Sequence, residues 1–141
     1  MKVGVIGSRT ITDYNLIKNK LDILNEHYKI TKIVSGGAKG VDSYGKKYAN
    51  DNGLPITEYL PDWNKYNKAA GFIRNQDIVK DSNIVIAFIE NGSKGTMDSI
   101  NQCHKYFINI VVINIDGSVD RDLSKIYRPL NYVYKHARRV K

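Results

Sequence analysis

This chain has a single cysteine, Cys103, and three histidines, His27, His104 and His136, that stand far apart along the sequence. One cysteine excludes an internal disulfide and favours a cytoplasmic setting. Histidines so spaced, with no cysteine beside them, give no zinc-ligand pattern, and neither a metal site nor a cofactor is expected. No apolar run is long enough to cross a membrane, and the N-terminus enters a strand directly, so neither a span nor a signal peptide is expected. Internal repeats, low-complexity segments and interdomain linkers are also missing. For 141 residues, that leaves a single domain large enough for a three-layer core.

Acidic charge is scarce toward the C-terminus. Arg121, Lys125, Arg128, Lys135, Arg138, Arg139 and Lys141 stand against Asp122 alone, so this stretch carries +6 of the formal net charge of +8. With Tyr127, Tyr132 and Tyr134 interleaved, it suits single-stranded nucleic acid, held by phosphate contacts and stacking. The preferred expectation is a solvated basic extension, residues 119–141, whose tyrosines pack back on a domain formed by residues 1–118.

What is present is an alternation of apolar runs and amphipathic stretches. Residues 2–7 read as a short buried strand ending in glycine, and Asp13 is placed to cap a helix bearing Leu16, Ile17, Leu21 and Leu24 at helical spacing. A strand over 30–35 leads to a helix from Val41 to about Asn52, stopped by Gly53. Pro55 to Leu60 is a third strand, and after an irregular stretch a helix runs from about Ala69 to Lys80. Residues 83–89 form a near-continuous apolar strand of the kind buried on both faces of a parallel sheet. A helix from about Thr96 to Phe107 and a strand from Ile108 to Ile115 follow. This order predicts an α/β, doubly wound parallel sheet with the loops after its strands gathered on one edge.

Two of those loops are rich in glycine. The first, Ser35-Gly36-Gly37-Ala38-Lys39-Gly40-Val41-Asp42, has glycines that tolerate positive φ and close approach to a phosphate, and Lys39 adds a charge. Asp42, in the first helical turn, either hydrogen-bonds a ligand hydroxyl or complements the helix dipole. The second, Glu90-Asn91-Gly92-Ser93-Lys94-Gly95-Thr96, pairs glycines with hydroxyls; Thr96 is well placed as a helix cap, but glycines on both sides of Ser93 exceed what a cap requires. The first loop has neither the Lys-Ser or Lys-Thr of a Walker loop nor the G-x-G-x-x-G dinucleotide fingerprint. With Gly7-Ser8-Arg9 after the first strand, the pair points to a nucleotide-type ligand. Trp63 is either a core anchor or a stacking platform for a base, and Arg74 offers a fork of donors to phosphate or carboxylate, or a surface ion pair.

Gly7-Ser8-Arg9, the 35–42 loop, Asp62-Trp63 with Ala69-Ala70-Gly71 and Arg74-Asn75, and Gly92-Ser93-Lys94-Gly95-Thr96 occur in an order that resembles the YspA-type, YpsA-related branch of the SLOG superfamily. That superfamily includes the DNA-processing protein A family and the LOG ("lonely guy") phosphoribohydrolases, and the resemblance covers about residues 2–115. It implies a Rossmann-like fold, pairing into a homo-oligomer, and a nucleotide or nucleotide-derived ligand on the glycine loops, with Arg9, Trp63, Arg74 and Asn75 near it. Lys39, Val41 and Asn67 stand where this branch commonly has arginine, alanine and glycine.

LOG enzymes carry a glutamate that works with an arginine to split an N-glycosidic bond. Aligned on Gly95-Thr96, that position is Ser99, while Asp98 is rotated from it by about 100° on a helix. Binding is therefore expected ahead of turnover. The alternative is an N-glycosidic hydrolase drawing on Arg74, Glu90 or Asp98, and a further alternative is nucleic-acid binding through the tail.

Overall fold

A computed structural model describes residues 1–37, 39–90 and 93–129. In chain order the elements are β1 (Lys2–Gly7), α1 (Tyr14–Tyr28), β2 (Lys32–Ser35), α2 (Val41–Asp51), β3 (Ile56–Glu58), α3 (Trp63–Tyr66), α4 (Ala70–Lys80), β4 (Ile84–Ile89), α5 (Lys94–Tyr106) and β5 (Asn109–Asn114). A 3-10 turn over Asn67–Ala69 joins α3 to α4. The five strands form one parallel sheet in the order β3-β2-β1-β4-β5. This is the Rossmann-like α/β architecture expected from the sequence.

Period-two alternation in the strands explains the two cores. In β4, Ile84, Ile86 and Phe88 join Val3, Val5 and Ile33 in a cluster with Ile17, Leu21 and Leu24 of α1 and Tyr48 of α2. The intervening Val85 and Ala87 join Ile6, Val34, Ile110 and Val112 in a second cluster with Ile78 of α4 and Ile100 and Cys103 of α5. A strand covered on both faces has no polar side to show, hence its unbroken apolar run. Each buried side chain of this size contributes about 1.5–3 kcal/mol.

Helix ends depart from expectation in two places. Asp13 occupies the N-cap of α1, but its side chain makes no capping hydrogen bond. Helix α5 starts before Thr96, and Ser93 is its N-cap, accepting from the Thr96 amide. Thr96 is thus the capped residue, its own hydroxyl turned to Ser93 Oγ at 3.2 Å. Strand β3 is also shorter than the run from Pro55 to Leu60 suggested. As expected, Gly53 lies just beyond α2 in the left-handed region, at φ +63°.

Beyond β5 the chain turns back along that strand. Val119 bridges Ile113 and Lys125 bridges Ile110, both antiparallel, and Asn109 Oδ1 accepts from the amides of Tyr127 and Arg128. The Tyr127 ring meets Phe107 edge-on at 5.5 Å. Residues 118–128 therefore cover an edge that would otherwise present open backbone groups. Tyr132, Tyr134, Lys135, Arg138, Arg139 and Lys141 lie outside the described residues.

Strand order positions the site. After β1 the chain moves outward to β2 and β3; it then crosses back to β4, beside β1, and continues the other way to β5. The loops leaving β1 and β4 diverge, and a crevice opens at their carboxyl ends, where doubly wound sheets place ligands.

Candidate functional site

A cleft of about 470 Å³ occupies this switch point, a volume in the range of small-molecule sites. Its walls come from Gly7 to Thr10 after β1, Asp42 of α2, Arg74, Asn75 and Ile78 of α4, Glu90 after β4, and Ser93, Gly95, Thr96 and Ser99 at the start of α5.

Ser8 joins the two diverging loops. Its amide donates to the Phe88 carbonyl at 3.0 Å, its hydroxyl donates to the Glu90 carbonyl at 3.2 Å, and its oxygen accepts from the Glu90 amide at 2.9 Å. A buried hydroxyl used in both directions holds backbone, whatever else approaches it. Gly7 has no room for a side chain, since a Cβ would stand 2.5 Å from the Phe88 carbonyl oxygen and 2.7 Å from Val41 Cγ2.

Arg74 enters from α4. Its Nη1 donates to the Gly36 carbonyl at 2.9 Å and its Nε to Asn75 Oδ1 at 3.0 Å. Asn75 is buried and passes the connection on, its Nδ2 donating to Asp98 Oδ2 at 3.0 Å and to the Gly95 carbonyl at 3.4 Å. The guanidinium is thus fixed relative to the first turn of α5. Burial draws its pKa below the ordinary arginine value; the Asp42 carboxylate opposes that shift and the Arg9 cation reinforces it. Arginine remains charged under any such shift, so two like charges face a common space.

The first turn of α5 adds the positive end of its dipole and amides that lack intrahelical acceptors. Ser93 and Thr96 stand at this turn, and a Cβ on Gly95 would meet nothing within 4 Å. Glu90, just past β4, also lines the cleft, and its Oε1 accepts from the Thr10 hydroxyl at 2.8 Å. The cleft therefore gathers two cations, Arg9 and Arg74, and two carboxylates, Asp42 and Glu90.

Of the residues anticipated from sequence, the cleft gathers Gly7, Ser8, Arg9, Asp42, Arg74, Asn75, Glu90, Ser93, Gly95 and Thr96. Ser35, Gly36, Gly37, Lys39 and Gly40 do not form its walls. Gly36 lies beneath Arg74, where a Cβ would fall 2.5 Å from Nη1 and 2.9 Å from Asp42 Oδ2. Gly37 adjoins Leu60 and Glu58, Ser35 is fully buried, and Lys39 is exposed. Gly40 takes φ +74° and its Cα passes over the Arg9 backbone, where a Cβ would lie 2.7 Å from the carbonyl oxygen. Trp63 stands on α3, 57% exposed and away from the cleft wall, so it is not the core anchor that one reading suggested. Asp98 is engaged by Asn75, while Ala38, Asn91 and Gly92 lie outside the described residues.

Sequence reading missed Thr10, whose signal was the unbroken polar run Ser8-Arg9-Thr10 after an apolar strand, and Ile78, one helical turn beyond Arg74. Among the described residues no cluster of His, Cys, Asp or Glu could hold a metal ion. No described helix is long and apolar enough to cross a membrane.

Comparisons with known proteins agree with the fold. Over 99% of its length the chain superimposes on DNA processing protein A from Helicobacter pylori, covering 81% of that chain with a TM-score of 0.66 and 19% identity. That protein is described as having a unique single-stranded DNA binding mode. DNA processing protein A from Streptococcus pneumoniae gives a TM-score of 0.64 at 19% identity, with the present chain spanning 56% of its length. No curated protein matches by sequence. Residues 1–66 match the model of the YAcAr family, described as the YspA, cpYpsA-related SLOG family. That match takes in β1, the first glycine loop and Trp63, so over these first 66 residues the chain is similar to the YspA, cpYpsA-related SLOG proteins.

Proposed function

We propose that the switch-point cleft binds a phosphorylated nucleotide-type ligand, which the protein senses, sequesters or delivers. The observation that carries this reading is the convergence of Arg74, Arg9 and the first turn of α5 on one cleft. Like charges held together are relieved by an anion between them, and the amides of a helix start add donors in the same direction. The remaining N–H groups of the Arg74 fork match the spacing of phosphate oxygens. Binding without turnover is the favoured form. Ser99 Oγ donates back to the Gly95 carbonyl, and Asp98 is tied to Asn75, so neither offers a free carboxylate beside Arg74.

A thermal-shift panel tests this reading with nucleoside mono- and diphosphates, NAD, ADP-ribose and a short single-stranded DNA. A ligand at about a hundred times its dissociation constant adds roughly 2.7 kcal/mol, a rise of a few degrees for a domain of this size. The expected result is a selective rise with one nucleotide, no release of free base, and loss of the rise in Arg74→Gln. A rise with DNA alone would move the reading to nucleic acid, as described for the Helicobacter pylori protein. Base release would replace binding with hydrolysis.

A further inference from the structure

Glu90 is an unusual group to find on the wall of an anion site. Its main chain is fixed on both sides by Ser8 Oγ, and its Oε1 accepts from Thr10 Oγ1 at 2.8 Å. Among the described residues no lysine, arginine or histidine forms an ion pair with it, and Oε2 has no hydrogen-bond partner. It lines the same cleft as Arg74 and is itself partly buried. A phosphate alone gains nothing from such a neighbour, because a carboxylate repels it across a partly desolvated space. A ligand that carries an anion at one end and hydroxyl donors at the other satisfies Arg74 and Glu90 at once.

We infer that Glu90, oriented by Thr10, reads the ribose hydroxyls of a ribonucleotide whose phosphate lies on the Arg74 side. This inference rests on the phosphate reading of the cleft given above. The physical grounds are the chemistry of Glu90 and Arg74 and their shared place at the switch point. An ionised carboxylate only accepts hydrogen bonds, and a vicinal diol supplies two donors at the spacing of its two oxygens. In dinucleotide-binding doubly wound sheets an acidic side chain about 20 residues beyond the first glycine turn hydrogen-bonds a ribose hydroxyl, so a carboxylate in this crevice has the chemistry to hold a sugar. Glu90 follows β4, one side of the switch point, and lines the same cleft as Arg74, so one ligand can reach both. A 2′-deoxy ligand removes one donor and leaves the carboxylate desolvated without compensation, which is why such sites discriminate strongly.

Calorimetric titration with the ribonucleoside 5′-monophosphates, their 2′-deoxy counterparts and inorganic phosphate tests this. The wild-type protein is expected to bind the ribo form at least about tenfold more tightly than the deoxy form, the scale of one hydrogen bond to a charged group. Glu90→Gln should reduce that ratio to about threefold or less while deoxy affinity holds or rises, because a repulsive charge has gone. Thr10→Val, which keeps the carboxylate but frees it, should narrow the ratio in part; this variant carries the test if Glu90→Gln fails to fold. Equal ribo and deoxy affinities in the wild type, with binding still lost in Arg74→Gln, would overturn the role of Glu90 and leave the phosphate reading standing. A ratio unchanged in Glu90→Gln, or a change in base preference instead of sugar preference, would also overturn it. Absence of binding by every phosphate compound would remove both readings together.

Discussion

Arg74 and Gly36 meet across the sheet: Nη1 of the arginine donates to the glycine carbonyl at 2.9 Å, and the guanidinium occupies the space a side chain at Gly36 would need. The group nearest that missing Cβ is the end of a flexible chain, so Gly36→Ala should displace Arg74 at small cost to the fold. Ligand affinity is expected to drop about tenfold, the scale of one charge-assisted hydrogen bond, with the melting temperature nearly unchanged. Paired calorimetry and thermal melts check this; a large loss of stability with full affinity would mean that Arg74 serves the fold alone.

Gly95 gives the opposite test. An added Cβ meets nothing within 4 Å, and the residue lies in the first turn of α5 on the cleft wall. Gly95→Ala should raise stability by about 0.5 kcal/mol through helix propensity and reduced unfolded-state freedom. Nucleotide affinity should drop because the methyl enters the space beside the α5 amides. Urea denaturation and titration of one preparation separate the two effects; unchanged affinity would mean that no ligand approaches this backbone.

Asp81, just beyond α4, is held by side chains from β1, β2 and the residue that follows β3. Its carboxylate accepts from Lys32 Nζ at 2.8 Å, Lys2 Nζ at 3.1 Å and Tyr59 Oη at 3.0 Å. Burial works against the charged form, but the hydrogen bonds from Lys32, Lys2 and Tyr59 outweigh it and hold the group below the usual carboxylate range. A depressed folded pKa means stabilisation that is complete above the unfolded value of about 3.9 and lost as pH falls through the folded one. Asp81→Asn should therefore destabilise by about 2 kcal/mol at neutral pH. Its denaturation curve should converge with wild type as the solution is acidified from about pH 5 to about pH 2. A difference constant over that range would exclude the ionised group as its source.

Cys103 lies fully buried between α5 and the sheet, and burial pushes its thiol up to about 12. Thiolate is the reactive form, so an aromatic disulfide reagent should label the native protein only as fast as it opens. Labelling rates that rise with denaturant in step with global unfolding are expected. Rapid labelling in its absence would reveal a local opening of α5.

Trp63, the single tryptophan, is exposed on α3 and outside the cleft wall. Its fluorescence should be red-shifted and accessible to acrylamide, and saturating nucleotide should leave the quenching constant unchanged. Trp63→Ala should alter nucleotide affinity by less than about twofold, as for a surface substitution away from the site. Protection of Trp63 by ligand would extend the site across α3.

Sequence alone determined the five strands and the four long helices, because those follow from local periodicity, while the short α3 lay in a stretch that read as irregular. The unbroken apolar run of β4 already announced a strand covered on both faces. Tertiary structure decided which residues share the cleft. Gly36 and Gly95 read alike in the sequence, yet one glycine makes room for Arg74, 38 residues away, while the other leaves space that nothing fills. Strand order sets Ser8 against Glu90, 82 residues on, where it holds two loops together. Such meetings depend on β4 returning beside β1 instead of beside β3. That choice is made by the global burial of both sheet faces, and no window of neighbouring residues records it.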